Sequence, residues 1–423
     1  MDNITHSIVG LGIGALVDCS MPSEPQPDAQ RVRTRILLTL GCLASNVPDL
    51  DLVLTRLLEA PLGYLLHHRG HTHTLLGALG EVVLLLGLVW LLWPAARHLL
   101  RTSRRTRQAA LVTAGAGTVL HVAMDGLNVY GVHPFWPFDA RWYYGDLIFI
   151  VEPVFWIAFG VPLAMMAPGR VPRALLLALL AAVPVGVTFA GFLQWGSLAG
   201  LLAMGGVLAW TAHRQARQPG GERGHAALVA GLAASLAFVA VQAAAMRTAR
   251  DTVATAIARR DPGERLLDTA LSAYPANPLC WSFVTVATDA AHGTYHLRRG
   301  LLSIAPGVSP ASSCPAPIGG RATGDGANGA NGANRGPGLA WQSDERDSLA
   351  HLRDLQKTNC HFNAWMRFAR APSVGATTAT DARWSPPGRA NFSTIAYADL
   401  ASAPCPHPVP GWGYPRADLL RQR

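Results

Sequence analysis

Charge is what this chain has least of. Asp, Glu, Lys and Arg make up 14% of its 423 residues, against about 25% in ordinary soluble domains, which excludes a wholly soluble globular protein. Lysine is almost missing: Lys357 is the only one. The formal charge of +9 is therefore carried by arginine, and the arginines sit in short clusters between apolar segments. That placement speaks for membrane orientation and against nucleic-acid binding. Cysteine is scarce too, six in all. Cys19 and Cys42 lie in or beside early apolar segments. Cys280, Cys314, Cys360 and Cys405 fall in the polar last third, an even number that can form two disulfides if that part is extracytoplasmic. No basic stretch precedes the first apolar segment, so a cleaved signal peptide is not expected.

Apolar sequence is abundant, half of the chain. A spanning helix needs about 20 mainly apolar residues. Candidates are residues 75–93, 109–129, 148–166, 174–193, 198–210 (short) and 226–246, with two further stretches, 4–17 and 36–47, below the required length. About eight apolar segments predict an all-α polytopic membrane helical bundle. Residues 161–246 supply its later transmembrane helices, and residues 247–423 a smaller α+β extramembrane C-terminal domain. In that tail 247–273 reads as helical, "WSFVTVATD" and "GTYHLRRGLLSI" alternate like paired strands, and 343–369 reads as helical. A Gly/Asn/Ala-rich run at 319–338, within a linker at about 308–342, has the composition of disorder. The tail carries no catalytic motif.

Positive charge orients the spans. Arg31, Arg33 and Arg35 follow the first segment; Arg97, Arg101, Arg104, Arg105 and Arg107 follow the third. Arg170 and Arg173 follow the fifth, and Arg214, Arg217 and Arg223 the seventh. Every second connection is basic, which places those four in the cytoplasm. Both termini then lie outside, and the C-terminal domain is expected in the periplasm.

Five motifs converge on that outer side, although none was used to set the topology. His6 opens the first span, and "NVPDLDL" puts Asp49 and Asp51 at the end of the second. "HHRGHTHT" (His67, His68, Arg69, His71, His73) opens the third, and "HVAMDGLNVYG" sets His121 and Asp125 near the end of the fourth. Asp146 and Glu152 start the fifth. His121 and Asp125 are four apart, one turn apart on one helix face, which suits two ligands to one metal. A buried His–Asp hydrogen bond is the plain alternative; likewise Pro48 with the aspartates can simply end a helix, and the histidine run can cap a span at the lipid headgroups. Ionisable groups beside spans are costly and usually functional, so the joint pattern favours a site. Imidazole with carboxylate favours zinc, manganese or iron over calcium or magnesium, zinc first.

At these residues the chain resembles the YdjM-like family of inner-membrane metal-dependent hydrolases. The match runs through "THSIVGLGIG", "NVPDLD", "HHRGHTHT", "HVAMDGLNVYG" and "WPFDARWYYGDLIFIVEP", over about residues 1–160. The family is distantly similar to the all-helical zinc phospholipase C and P1 nuclease group. The resemblance implies a membrane-embedded hydrolase-like domain with His6, Asp49, Asp51, His68, His73, His121, Asp125 and Asp146 at its site. His71 falls on a variable position of the motif and His67 on an intermediate one. Glu152 stands where the family often has Asp.

The implied chemistry is metal-assisted hydrolysis of an ester or phosphoester, with membrane lipids as partners and a lipid or lipid-linked phosphoester as substrate. His6, Asp49, His68, His73, His121, Asp125 and Asp146 would hold divalent metal; Asp51 or Glu152 would serve as base or orienting group, and Arg69 would hold an anionic group. The rival readings are a proton- or metal-coupled transporter and a non-catalytic membrane scaffold with a structural metal site. A transporter should carry its ionisable residues near the midplane and show paired repeats; here they gather at one end.

Overall fold

A computed structural model describes residues 1–218, 224–315, 335–336, 338–386 and 388–421. In chain order the helices are α1 (Asn3–Ser20), α2 (Pro27–Ala44), α3 (Leu62–His67), α4 (Leu75–Leu92), α5 (Pro94–Thr102), α6 (Arg104–Gly126), α7 (Pro153–Met166), α8 (Arg170–Phe189), α9 (Trp195–Gln215) and α10 (His225–Arg260). The strands β1 (Arg265–Tyr274), β2 (Asn277–Asp289), β3 (Thr294–Ser303), β4 (Arg335–Gly336) and β5 (Leu339–Ser348) follow. After them come α11 (Leu349–Thr358), α12 (Cys360–Trp365), β6 (Pro372–Val374), β7 (Ala379–Asp381) and α13 (Ala417–Leu420). Each of the eight apolar segments lies mostly in a helix, but the span expected over 148–166 starts only at Pro153 and is a shorter apolar helix of 14 residues. Among the described residues, six stretches are long and apolar enough to cross a membrane: Pro27–Leu57, Leu75–Leu92, Arg104–Gly126, Arg170–Phe189, Trp195–Gln215 and His225–Arg260. The architecture is thus a polytopic helical bundle with a smaller sheet domain.

The chain forms two compact units. The first comprises Met1–Leu50, Thr72–Asn128 and Phe149–Val241. Asp2 starts α1 by accepting from the backbone N–H groups of Ile4 and Thr5, and Thr74 does the same for α4 through Gly77. Helices α1 and α2 pack backbone to backbone. A Cβ at Gly10 would lie 2.2 Å from the carbonyl oxygen of Gly41, and one at Gly14 would lie 2.4 Å from that of Leu37. Only glycine permits that approach. Ile36, Leu37 and Leu40 of α2, Leu85 and Val89 of α4, Leu99 of α5 and Ala109 of α6 close one apolar core.

At the end of this unit where α1 finishes and α2 and α6 begin, charge is buried. The Arg33 guanidinium bonds Asp18 at 2.7 Å, and Glu24 accepts from Ser103 and Thr106 at 2.6 and 2.8 Å. The proline-started α5, which the hydropathy pattern does not announce, carries Arg97 and Arg101 over the face of Trp90 at 5.7 and 5.1 Å. These lie on the connections expected in the cytoplasm.

The second unit comprises Asp51–His71, Val129–Ile148 and Gln242–Arg423. Two connections between apolar helices, and not the tail alone, therefore build it. Its sheet runs β1-β2-β3-β5-β4, antiparallel throughout. The two expected strands are β2 and β3. The structure corrects two readings of the tail: α10 stops at Arg260, so residues 265–273 belong to β1, and 343–348 lie in β5 before the helix begins at Leu349. "RLLDTALSAY" alternates poorly because β1 is bulged at Leu266/Asp268, and that reads as a helical period. Most of the Gly/Asn/Ala-rich run lies outside the described residues.

The core of this unit joins Leu62, Leu65 and Leu66 of α3 and Tyr130 and Trp142 of the second connection to Phe362, Trp365 and Trp412 of the tail. Polar anchors match. Trp412 donates its indole N–H to the Leu66 carbonyl at 2.7 Å, Trp142 to that of Arg367 at 2.6 Å, and Arg383 to that of Val129 at 2.8 Å. His133 is fully buried against Trp142 and Trp412. Disulfides Cys280–Cys314 and Cys360–Cys405 staple the unit, with Cα separations of 5.6 Å in both.

Candidate metal centre

The metal-ligand types gather inside the first unit at the end where α1 and α4 begin and α2 and α6 finish. Asp49 sits just past α2, on the 3-10 turn Val47–Leu57. His73 comes immediately before the Thr74 cap of α4, and His121 and Asp125 lie in the last turns of α6. One ligand atom from each of these four lies within 4.8 Å of all the others, and all four residues are buried. The two imidazole Nε2 atoms are 3.1 Å apart. His73 Nε2 is 3.5 Å from Asp49 Oδ1 and 3.3 Å from Asp125 Oδ2. For His121 Nε2 the same two distances are 3.6 and 3.7 Å. A tetrahedron with metal–ligand bonds of about 2.0–2.1 Å has edges of about 3.3–3.4 Å, so the four atoms stand near the corners of a zinc-sized polyhedron.

The surroundings fix those atoms. His121 Nδ1 lies 2.8 Å from the Ser45 carbonyl; it must donate there, which leaves Nε2 with a lone pair facing the cluster. His73 Nδ1 has Thr72 Oγ1 at 3.1 Å. Asn3 donates to Asp49 Oδ2 at 3.0 Å. His6 Nε2 lies 3.2 Å from Asp125 Oδ1, and the His6 ring stacks on His121 with centroids 3.9 Å apart. The Met1 amine also pairs with Asp125. Outer partners of this kind orient ligands at metal sites and raise their basicity.

Residues 1–194 match the YdjM inner membrane protein family. The YdjM match takes in every residue of the cluster. The chain is also similar to "Uncharacterized protein YfhP" of Bacillus subtilis (strain 168), 27% identical over 172 residues, 41% of this chain and 48% of that one. The chain thus spans about half the length of the curated relative it matches. No solved structure matches it.

Other expected residues of the YdjM-matched part are placed differently. Asp51 and His68 lie in the second unit, where His68 Nδ1 is 3.2 Å from Asp51 Oδ1 and the Gly70 N–H reaches Asp51 Oδ2 at 3.3 Å. Tyr64 stacks on His68. Arg69 is buried with its guanidinium 4.7 Å over the Tyr130 ring. Asp146 was expected as a ligand, and here the structure corrects the reading: both its oxygens are held by Arg370, at 2.7 and 2.8 Å, and Arg250 adds a third contact at 3.1 Å. A carboxylate neutralised by two guanidiniums is a poor metal donor. Glu152, also buried, caps α7 by accepting from the Val154 N–H at 3.2 Å. His67 and His71 lie outside the four-residue cluster; burial lowers the pKa of both.

Sequence reasoning missed Asn3, Ser45 and Thr72. Their neighbours in "NITH", "SNVPD" and "THT" were visible, but a supporting carbonyl or amide has no motif of its own.

Proposed function

We propose that this chain is a membrane-bound metal-dependent hydrolase in which Asp49, His73, His121 and Asp125 hold one divalent ion, zinc first. The observation that carries this reading is the spacing of four buried ligand atoms, each imidazole nitrogen 3.1–3.7 Å from the other three atoms and all four within 4.8 Å of one another. Two lone pairs on nitrogens so close repel unless a proton or a cation lies between them. The donor set, two imidazoles and two carboxylates, fits zinc, manganese or iron. When bound, such an ion polarises a scissile oxygen and lowers the pKa of a water toward 7.

The chain's own groups do the rest. Ser45 and Thr72 hold the two imidazoles in orientation, and His6 holds Asp125. Asp49 is the least buried of the four, 8% exposed against none for the other three, and Asn3 holds its Oδ2. The substrate we propose is an ester or phosphoester carried by a lipid, because the site lies at the ends of spans. That same position favours a site over a transport pathway, whose ionisable groups would lie near the midplane.

Membership of residues 1–194 in an inner-membrane family supports a bacterial inner-membrane location. A periplasmic second unit is supported by its make-up: both connections it contains are of the non-basic kind, and its four cysteines are paired. A second reading, a structural ion in a non-catalytic scaffold, is favoured by the ligand count, since four protein ligands are typical of closed structural zinc sites.

One experiment separates the two. The purified protein, loaded with zinc, is screened for phosphoesterase and esterase activity on lipid substrates beside His121→Ala and Asp125→Ala. Activity lost with the metal in both variants supports hydrolysis. Metal retention with no turnover on any substrate supports the structural ion. No metal in the wild type refutes both. A C-terminal reporter active only in the cytoplasm would refute the outward placement.

A further inference from the structure

Helix α5 lies on the first unit by one face only. Ala96, Leu99 and Leu100 are buried in the bundle, while Arg97 is half-buried and His98 and Arg101 are exposed. Arg97 and Arg101 are four apart, one turn along the same face. Both guanidiniums sit over the indole of Trp90, at 5.7 and 5.1 Å from its centre. The neighbouring cations are used elsewhere: Arg105 reaches the Ser23 carbonyl, and Arg107 donates to the carbonyls of Leu100 and Arg101 at 3.0 Å each. Glu24 accepts from Ser103 and Thr106. Neither the Arg97 nor the Arg101 guanidinium has a carboxylate partner among the described residues.

Depth is set here by the first unit alone. Leu75–Leu92 and Arg104–Gly126 are both long and apolar enough to cross a membrane, and α5 joins their ends. The 18 residues of α4 cover about 27 Å at about 1.5 Å each, close to a hydrocarbon thickness of about 30 Å. Trp90 lies in the last turn of α4, where an indole anchors at the headgroup boundary, and α5 follows it. Leu88, Leu91 and Leu92 of the same turns are 40%, 62% and 72% exposed, a surface for acyl chains. A ligand on this face meets apolar side chains on one side and guanidiniums on the other, which selects an amphiphile over a soluble anion. A guanidinium stacked on a ring keeps its edge donors free for the oxygens of a phosphate. With no carboxylate facing the pair, an ammonium finds no partner, so a net-negative headgroup is favoured over a zwitterionic one.

We propose that Trp90, Arg97 and Arg101 form a binding site for the phosphate of an anionic phospholipid, whose acyl chains run along the end of α4. Orienting a span asks only for positive charge, whereas two guanidiniums stacked on one indole hold their donors in fixed positions. The site rests on α4 and α6 crossing a membrane, but on neither the metal centre nor hydrolysis.

The test uses the full-length protein in nanodiscs of phosphatidylcholine doped equally with phosphatidylglycerol and phosphatidylethanolamine, with retained lipid read by native mass spectrometry. Two basic residues at a membrane surface are worth about thirtyfold in favour of an anionic lipid, so wild type should enrich phosphatidylglycerol over phosphatidylethanolamine by about that factor. Arg97→Gln with Arg101→Gln should remove most of the preference. Arg97→Lys with Arg101→Lys keeps the charge, and with it the orientation of the spans, and should still lower the preference severalfold because the planar fork is gone. This pair decides the question even if the Gln pair inserts wrongly. Trp90→Leu, which leaves every charge in place, should lower it as well. Arg31→Gln with Arg35→Gln removes as much charge from the start of α2 and should leave it unchanged. Enrichment that the Lys pair keeps in full, or that the α2 pair lowers as much as the Gln pair, would reduce the site to surface charge and overturn the proposal. So would the absence of enrichment in wild type, or binding of soluble glycerophosphoglycerol without lipid enrichment.

Discussion

Replacing Asp125 by Asn changes one oxygen to an amide in a space of the same shape and, on the proposed reading, removes one of four ligand atoms. Asp125 Oδ2 lies 3.3 Å from His73 Nε2 and 3.7 Å from His121 Nε2, while Oδ1 faces His6 at 3.2 Å. An outer partner of a metal ligand is worth about 10–100-fold in affinity. A direct ligand must be worth at least the top of that range, so Asp125→Asn should weaken zinc by about 100-fold or more, or about 2.7 kcal/mol at 1.36 kcal/mol per tenfold. His6→Gln touches only Oδ1 and should fall inside the 10–100-fold range. The assay is competition with a fluorescent chelator on detergent-purified protein, with metal content checked by mass spectrometry. The ordering is the test. His6→Gln weaker than Asp125→Asn, or zinc held equally by wild type and Asp125→Asn, would refute the ligand assignment.

Other expectations follow from the same contacts. Gly10→Leu would drive a side chain into Ser45 Oγ and the Gly41 backbone; it should lower zinc affinity through the Ser45–His121 bond, measured by the same competition. Removing Cys360–Cys405, which closes a 45-residue separation, should cost the second unit about 4 kcal/mol by loop entropy, read as denaturation midpoint with and without reductant. Arg370→Met leaves Asp146 to Arg250 alone and Asp268 to Arg416 alone and should cost about 3 kcal/mol, the lower end for a broken buried pair, read as a fall in thermal midpoint. Burial raises the pKa of Asp268, but Arg370 and Arg416 outweigh it and hold the group at about 2, against about 3.9 unfolded. Its contribution is therefore present above about pH 4 and lost as pH falls toward 2. Acid titration of Arg370→Met should lack most of that loss.

The bundle was legible because spanning helices announce themselves by composition over about 20 residues. His121 and Asp125 were legible because their spacing is local. Charge parity put the motifs of Asp49 and His73 on the same side, and the family resemblance picked out the two residues, since a lone carboxylate or imidazole has no spacing to read. What sequence hid is what distance controls. Asp146 looks like its neighbours in type and placement, yet its partner is Arg370, 224 residues away. His68 and His73 share one motif, yet one pairs with Asp51 and the other joins the cluster. The second unit's use of residues 51–71 and 129–148 was equally hidden, because a connection looks the same whether solvent or a distant tail covers it.

The bond between Trp412 and Leu66 spans 346 residues, and that sets a timetable. At about 5–20 residues per second, synthesis needs about 20–70 s to deliver Trp412 after Leu66 has emerged. For that interval Leu62, Leu65, Leu66, Tyr130 and Trp142 are made but lack most of their final neighbours. Non-local closure of this kind is slow and exposes apolar surface while it waits. The protein's biogenesis should therefore depend on whatever shields those two connections, and truncations before residue 405 should be degraded rather than accumulate as a bare bundle.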